Sequence, residues 1–127
     1  MYPFKYFKYS EFDDPTVPGS GELYMSEEFI KKLDKARGIA GVPFKINSGY
    51  RTKEHNLEVG GVANSAHTLG LAADIAITPE TKQKIASALY KAGFKRLGFA
   101  NSFIHVDLDK SKPQTVWNYS GAEILYT

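Results

Sequence analysis

The stretch KRLGFANSFIHVDLD, residues 95–109, decides the fold of this chain. Two short apolar runs, RLGF and FIHVDL, flank the turn signal ANS, a pattern that predicts two antiparallel strands joined by a tight connection. The segments around it alternate longer helical patterns with short strands. A hairpin in that setting predicts an α+β domain, a small antiparallel sheet with helices packed on one side.

Upstream of the hairpin, TPETKQKIASALYKAGF (78–94) places Ile85, Leu89 and Ala92 on one helical face and ends at Gly93. Thr78 reads as its cap and Pro79 as its first helical residue. Before it, LAADIAI (71–77) is an apolar run broken only by Asp74, as expected of a buried strand. VPFKINSGYR (42–51) alternates Phe44 and Ile46 with Lys45 and Asn47, a strand that delivers Ser48, Gly49, Tyr50 and Arg51 at its exit. TKEHNLEVGG (52–61) predicts a short helix stopped by Gly60 and Gly61. SEEFIKKLDKARGIAG (26–41) predicts a helix with Phe29, Ile30, Leu33, Ala36 and Ala40 on its buried face, acids in the first turn and Gly41 at its end. The first 25 residues mix aromatics with Asp, Pro, Gly and Ser and read as an irregular arm docking on the domain. TVWNY (115–119) predicts a last strand.

A chain of 127 residues, 43% of them hydrophobic, is expected to form one domain, residues 1–127. Without cysteine it has neither disulfides nor a thiolate metal site, so a metal would have to be held by His, Asp and Glu. Sixteen basic and fourteen acidic residues leave a net charge of +2, dispersed along the chain, which does not favour a nucleic-acid partner. No run has the length of a signal peptide or a membrane span, so no membrane insertion and a monomer are expected.

Only three histidines are present, and one of them, His67, stands seven positions before Asp74. His105 lies inside FIHVDL, where a strand would aim its ring. An Asp in an apolar strand and a His between Ile104 and Val106 are both costly unless paired, and one divalent cation would satisfy both. A catalytic zinc needs three protein ligands and one open position, which matches this count. Each residue also has a plainer reading: His105 as a hydrogen-bonded core histidine, Asp74 as a cap or a partner of Arg51.

SAHTLGLAAD, residues 65–74, carries the pattern Ser-x-His-x-x-Gly-x-Ala-x-Asp at every fixed position, with SGYR before it and HVD after it. In this it resembles the zinc D-alanyl-D-alanine peptidases of the M15 class, in their small single-domain branch. The likeness runs from YFKYSEF through INSGYRTKEHNLEVGG to FIHVDLD and VW. It implies that His67, Asp74 and His105 are zinc ligands, and that Arg51 anchors a substrate carboxylate or stabilises an oxyanion. It also implies a D-Ala-D-Ala carboxypeptidase or endolysin-type endopeptidase whose partner is a peptidoglycan stem peptide. Such an enzyme would stay in the cytoplasm until released, or ride on a virion. Ser65 would bond the backbone of the ligand loop and Gly70 would turn the chain between ligands, while Asn56, Gly60 and Gly61 would shape the loop below the site and His55 would be structural.

One part of the pattern is missing. Relatives place an acid three residues before the last ligand, or a His two residues before it, and these positions here are Ser102 and Phe103. Asp107 is the nearest substitute, since alternate residues of a strand share a face with His105. It would act as the general base, or hold a metal ligand and leave proton transfer elsewhere. Tyr50, Glu54 and Asp109 are weaker candidates. The gap also feeds a rival reading, a wall-binding or partner-binding module with a vestigial zinc, as in the hedgehog signalling domains.

Overall fold

The computed structural model describes residues 3–126, so the first two residues of the expected arm and the last of the expected domain lie outside it. The hairpin is present as β3 (Arg96–Phe99) and β4 (Phe103–Asp107), paired antiparallel with Gly98 opposite His105. Strand β2 (Ala72–Ala76) lies antiparallel on the other side of β4, and β1 (Ile46–Ser48) flanks β2. The strand expected over 42–51 is therefore confined to three residues. β5 (Val116–Asn118) completes the order β1-β2-β4-β3-β5 but runs parallel to β3. The sheet is thus mixed, not wholly antiparallel, because the segment from Leu108 to Thr115 stays at the Arg96 end of the sheet and passes beyond β3, so that β5 starts beside Leu97 and runs the same way as β3.

Strand alternation divides the sheet into two chemically different faces. Ala73, Ile75, Leu97, Phe99, Ile104 and Val106 point into the hydrophobic core. There they meet Phe29, Ile30 and Leu33 of α2 (Glu27–Ala40) and Ile85 and Leu89 of α4 (Lys82–Lys91). Each such fully buried aliphatic side chain stabilises the fold by about 1.5–3 kcal/mol relative to exposure. Both long helices therefore cover one side, and the opposite face is left to Asp74, Arg96, Gly98, His105, Asp107 and Trp117.

α2 begins and ends as its sequence predicts: the Ser26 hydroxyl accepts from Phe29 N, and Gly41 closes the helix at a φ of 70°. α4 starts later than expected. Thr78 and Thr81 exchange hydrogen bonds around a turn holding Pro79 and Glu80, so Thr81 occupies the N-cap position and Lys82 is the first helical residue. The arm is also more ordered than expected, with a 3-10 turn at Tyr9–Phe12 and the short helix α1 (Ser20–Tyr24). Phe4, Phe7 and Phe12 are buried in the core, and Asp14 is fully buried. The Asp14 carboxylate accepts from the Thr16 and Thr52 amides and lies 3.1 Å from His55 Nδ1, tying the arm to the start of α3 (Lys53–Glu58). Among the described residues no helix is long and apolar enough to cross a membrane.

Candidate metal centre

His67 reaches the site from a 3-10 turn, Ala66–Leu69, whose start is capped as its sequence suggests: the Ser65 hydroxyl accepts from His67 N at 3.2 Å. Gly70 closes that turn at a φ of 71°, and a side chain there would meet the Tyr24 carbonyl at 2.0 Å. Glycine is required on both counts. The imidazole is oriented by the Gly49 carbonyl, 2.7 Å from Nδ1. A carbonyl only accepts, so Nδ1 carries a proton, which leaves Nε2, 3.3 Å from Asp74 Oδ1, as the nitrogen turned to the cluster.

Asp74 and His105 are direct cross-strand neighbours of β2 and β4. Asp74 Oδ1 lies 2.9 Å from His105 Nδ1, and its Oδ2 lies 3.4 Å from Arg51 Nη2. Three candidate donor atoms, one each from His67, Asp74 and His105, fall within 4.8 Å of one another, and all three residues are buried. Burial pushes the Asp74 carboxyl up, yet the His105 and His67 rings outweigh it and hold the group below the usual carboxylate range. Burial likewise opposes charge on His105, but its bonds to Asp107 and Asp74 raise the ring above the ordinary imidazole value.

The far side of His105 is equally defined. Nε2 lies 2.7 Å from Asp107 Oδ2, while Asp107 Oδ1 accepts from Arg96 Nε at 2.7 Å and from Asp109 N at 3.0 Å. Desolvation raises the Asp107 carboxyl, and these bonds, that to His105 foremost, reverse the effect and lower it. Arg96 also donates to the Pro113 carbonyl and lies 4.7 Å from the Trp117 ring centroid. Both imidazoles thus have one nitrogen held by protein and the other turned toward Asp74. Two nitrogens and a carboxylate oxygen in this arrangement suit a divalent cation of the borderline class, with ring orientation fixed from outside the ligand set.

Arg51 is clamped beside the cluster. Its Nε donates to Ser48 Oγ, Nη1 to Asn56 Oδ1 and Nη2 to Asp74 Oδ2. Of five guanidinium N–H donors, three are thereby directed at protein and two remain. Asn56 is buried and also donates to the Val62 carbonyl, so one side chain couples Arg51 to the loop at Gly60 and Gly61. That loop forms one wall of a cavity of about 470 Å³, with Phe103, Trp117 and Tyr119 opposite and His67, Asp74, His105 and Asp107 also lining it.

The structure gathers Arg51, His67, Asp74, His105 and Asp107 around this one cavity. Tyr50, Glu54 and Asp109 do not line it: Tyr50 stacks on Tyr24 at 4.9 Å, and Asp109 is engaged by Ser111 and Lys112. Ser102 is exposed and Phe103 is an apolar wall residue. Arg96, Trp117 and Tyr119 were missed in the sequence. A signal existed for Trp117, since Gly98 inside a strand marks a close approach, and a Cβ there would lie 2.6 Å from the indole.

No curated protein matches the sequence. A family model described as Peptidase M15 matches residues 5–107, from the docked arm to the carboxylate behind His105. The matched span takes in every element that builds the cluster, and the chain belongs to the peptidase M15 family.

Proposed function

We propose that this protein is a zinc-dependent peptidase that hydrolyses peptidoglycan stem peptides, as a D-Ala-D-Ala carboxypeptidase or an endolysin-type endopeptidase. Peptidases are hydrolases, and the observation that carries the finer reading is the convergence of His67 Nε2, Asp74 Oδ1 and His105 Nδ1 beside a cationic Arg51. These three atoms would hold the zinc. When bound, zinc polarises a carbonyl and acidifies water, so that a nucleophile is available near neutral pH.

The protein's own groups supply the rest. Arg51, with two donors uncommitted, would take a substrate carboxylate or the charge that develops on the scissile carbonyl. Val59, Val62 and Phe103 offer apolar contact to a short peptide lying in the cavity. Of the two roles open to Asp107, its bonds to His105 and Arg96 favour holding the ring over acting as base. An Arg-paired carboxylate with a lowered pKa is a poor proton acceptor.

That engagement also supports a second reading, a zinc-containing module that binds wall peptides and cleaves them weakly, because both carboxylates lining the cavity are already committed to protein partners. Digestion of purified muropeptides, followed by mass spectrometry, separates the two. The peptidase reading expects a new product ion, lost with a chelator and restored by zinc. Intact muropeptides that co-purify with the zinc-loaded protein would favour the binding module.

A further inference from the structure

Arg51 approaches the His67–Asp74–His105 cluster from the β1 edge of the sheet, and a second polar group stands on the other side. Trp117 and Tyr119 alternate along the end of β5, two strands beyond β4, and both line the cavity. Gly98 lies between them and His105 on β3. Because it has no side chain, the Trp117 indole settles on its backbone and reaches across to His105, with ring centroids 5.6 Å apart. Arg96 packs on the same indole, so Trp117 is fixed from two sides. Tyr119 follows at the cavity mouth, packed on Phe103 at 5.9 Å and on Trp117 at 6.1 Å, and remains 39% exposed.

The Tyr119 ring is held by these two aromatic contacts, which fixes where its hydroxyl stands on the cavity lining. Among the described residues nothing accepts the phenol's own proton. Burial outweighs the nearby Trp117 and Arg96 and raises the phenol above its ordinary value, so the group keeps its proton at neutral pH. A neutral O–H carried on a fixed ring that lines the cavity, with no acceptor among the described residues, is a ready hydrogen-bond donor. Arg51, by contrast, spends three of its donors on Ser48, Asn56 and Asp74. Both Trp117 and Tyr119 lie beyond the span matched by the family model.

We propose that Tyr119 is a catalytic residue of this site, donating a hydrogen bond to the oxygen of the scissile carbonyl as it gains negative charge, from the side of the cluster opposite Arg51. The inference rests on the peptidase reading. No proton is transferred in this role: the O–H bond persists, and the stabilisation comes from a dipole held in place where charge develops. The contact strengthens between substrate and transition state, so it acts on kcat more than on KM.

Tyr119→Phe tests this, since the ring and its packing on Phe103 and Trp117 are kept and only the hydroxyl is lost. On zinc-loaded full-length protein, kcat for a D-Ala-D-Ala-terminated peptide should fall about 100-fold, with KM changed by less than about 3-fold. A phosphinate pseudodipeptide of D-Ala-D-Ala, which mimics the tetrahedral species, should bind the variant at least about 10-fold more weakly, while zinc content stays at the wild-type value. Wild-type protein that cleaves nothing would defeat the peptidase reading and this inference with it. Wild-type protein that cleaves, beside a Tyr119→Phe variant equal to it in kcat and phosphinate affinity, would overturn the assignment of Tyr119 alone.

Discussion

Asp107 Oδ2 stands 2.7 Å from His105 Nε2, on the opposite side of the ring from Asp74. The relationship sets which nitrogen faces the cluster: with the proton of Nε2 held by a carboxylate, Nδ1 is the atom left for a cation. Arg96 extends it by fixing the other Asp107 oxygen.

Asp107→Asn should therefore act on metal affinity first. The amide keeps the size of the carboxylate but loses its charge, and zinc affinity should fall about 10-fold to 100-fold, with peptide cleavage largely recovered in excess zinc. Chelator competition and turnover on the same preparation check it. Cleavage lost by about 100-fold at full zinc occupancy would return Asp107 to the role of general base.

Arg51→Lys keeps the charge and removes the fork. Lysine cannot bond Ser48, Asn56 and Asp74 together, so turnover of a D-Ala-D-Ala peptide should drop about 10-fold or more. Steady-state kinetics at saturating zinc decide it, and unchanged values would make Arg51 a structural ion-pair partner.

Gly98→Ala introduces a methyl group 2.6 Å from the Trp117 indole. The ring must move off β3, costing about 1–3 kcal/mol as an overpacked contact. Denaturant unfolding measures the loss. A fully stable variant would mean that Trp117 is not seated on the Gly98 backbone.

Asp14 links the arm to α3 through a titrating group. Burial raises its carboxyl, but bonds from Thr16 and Thr52 and the nearby His55 bring it down from 3.8 to about 2. A depressed carboxyl contributes stability that is present above its unfolded value and is lost as pH falls through the folded one, so this contribution should disappear between about pH 4 and 2. Asp14→Ala should cost about 1–3 kcal/mol at neutral pH by leaving buried amides unsatisfied, and the gap to wild type should narrow across that acid window. Thermal melts of both proteins as a function of pH show the convergence or its absence.

Much of this arrangement is written locally. Ser26 and Gly41 bracket α2, and Ser65 and Gly70 shape the turn that presents His67, because caps and left-handed residues act within a few positions. The hairpin at 95–109 announced itself by two apolar runs around a turn, and the alternation of His105 and Asp107 placed both on one face. What stayed hidden depends on pairing between distant segments. The parallel placement of β5 beside β3 is decided by the path of residues 108–115, which carries no periodic signal. Arg96 carries no local signal, because only the pairing of β3 with β4 and β5 brings Asp107 and Trp117 against it. Thr78 lost its expected place as helix cap to Thr81, a competition between two equivalent hydroxyls three residues apart.

Whether His67 and His105 meet one metal ion through Nε2 and Nδ1 is decided by imidazole nitrogen-15 NMR during zinc titration of metal-stripped protein. Saturation is expected at about one equivalent, with the resonances of His67 Nε2 and His105 Nδ1 shifting, His67 Nδ1 and His105 Nε2 retaining their protons, and His55 unaffected. Saturation that leaves either His67 or His105 unperturbed, or that engages His55, would contradict the shared site.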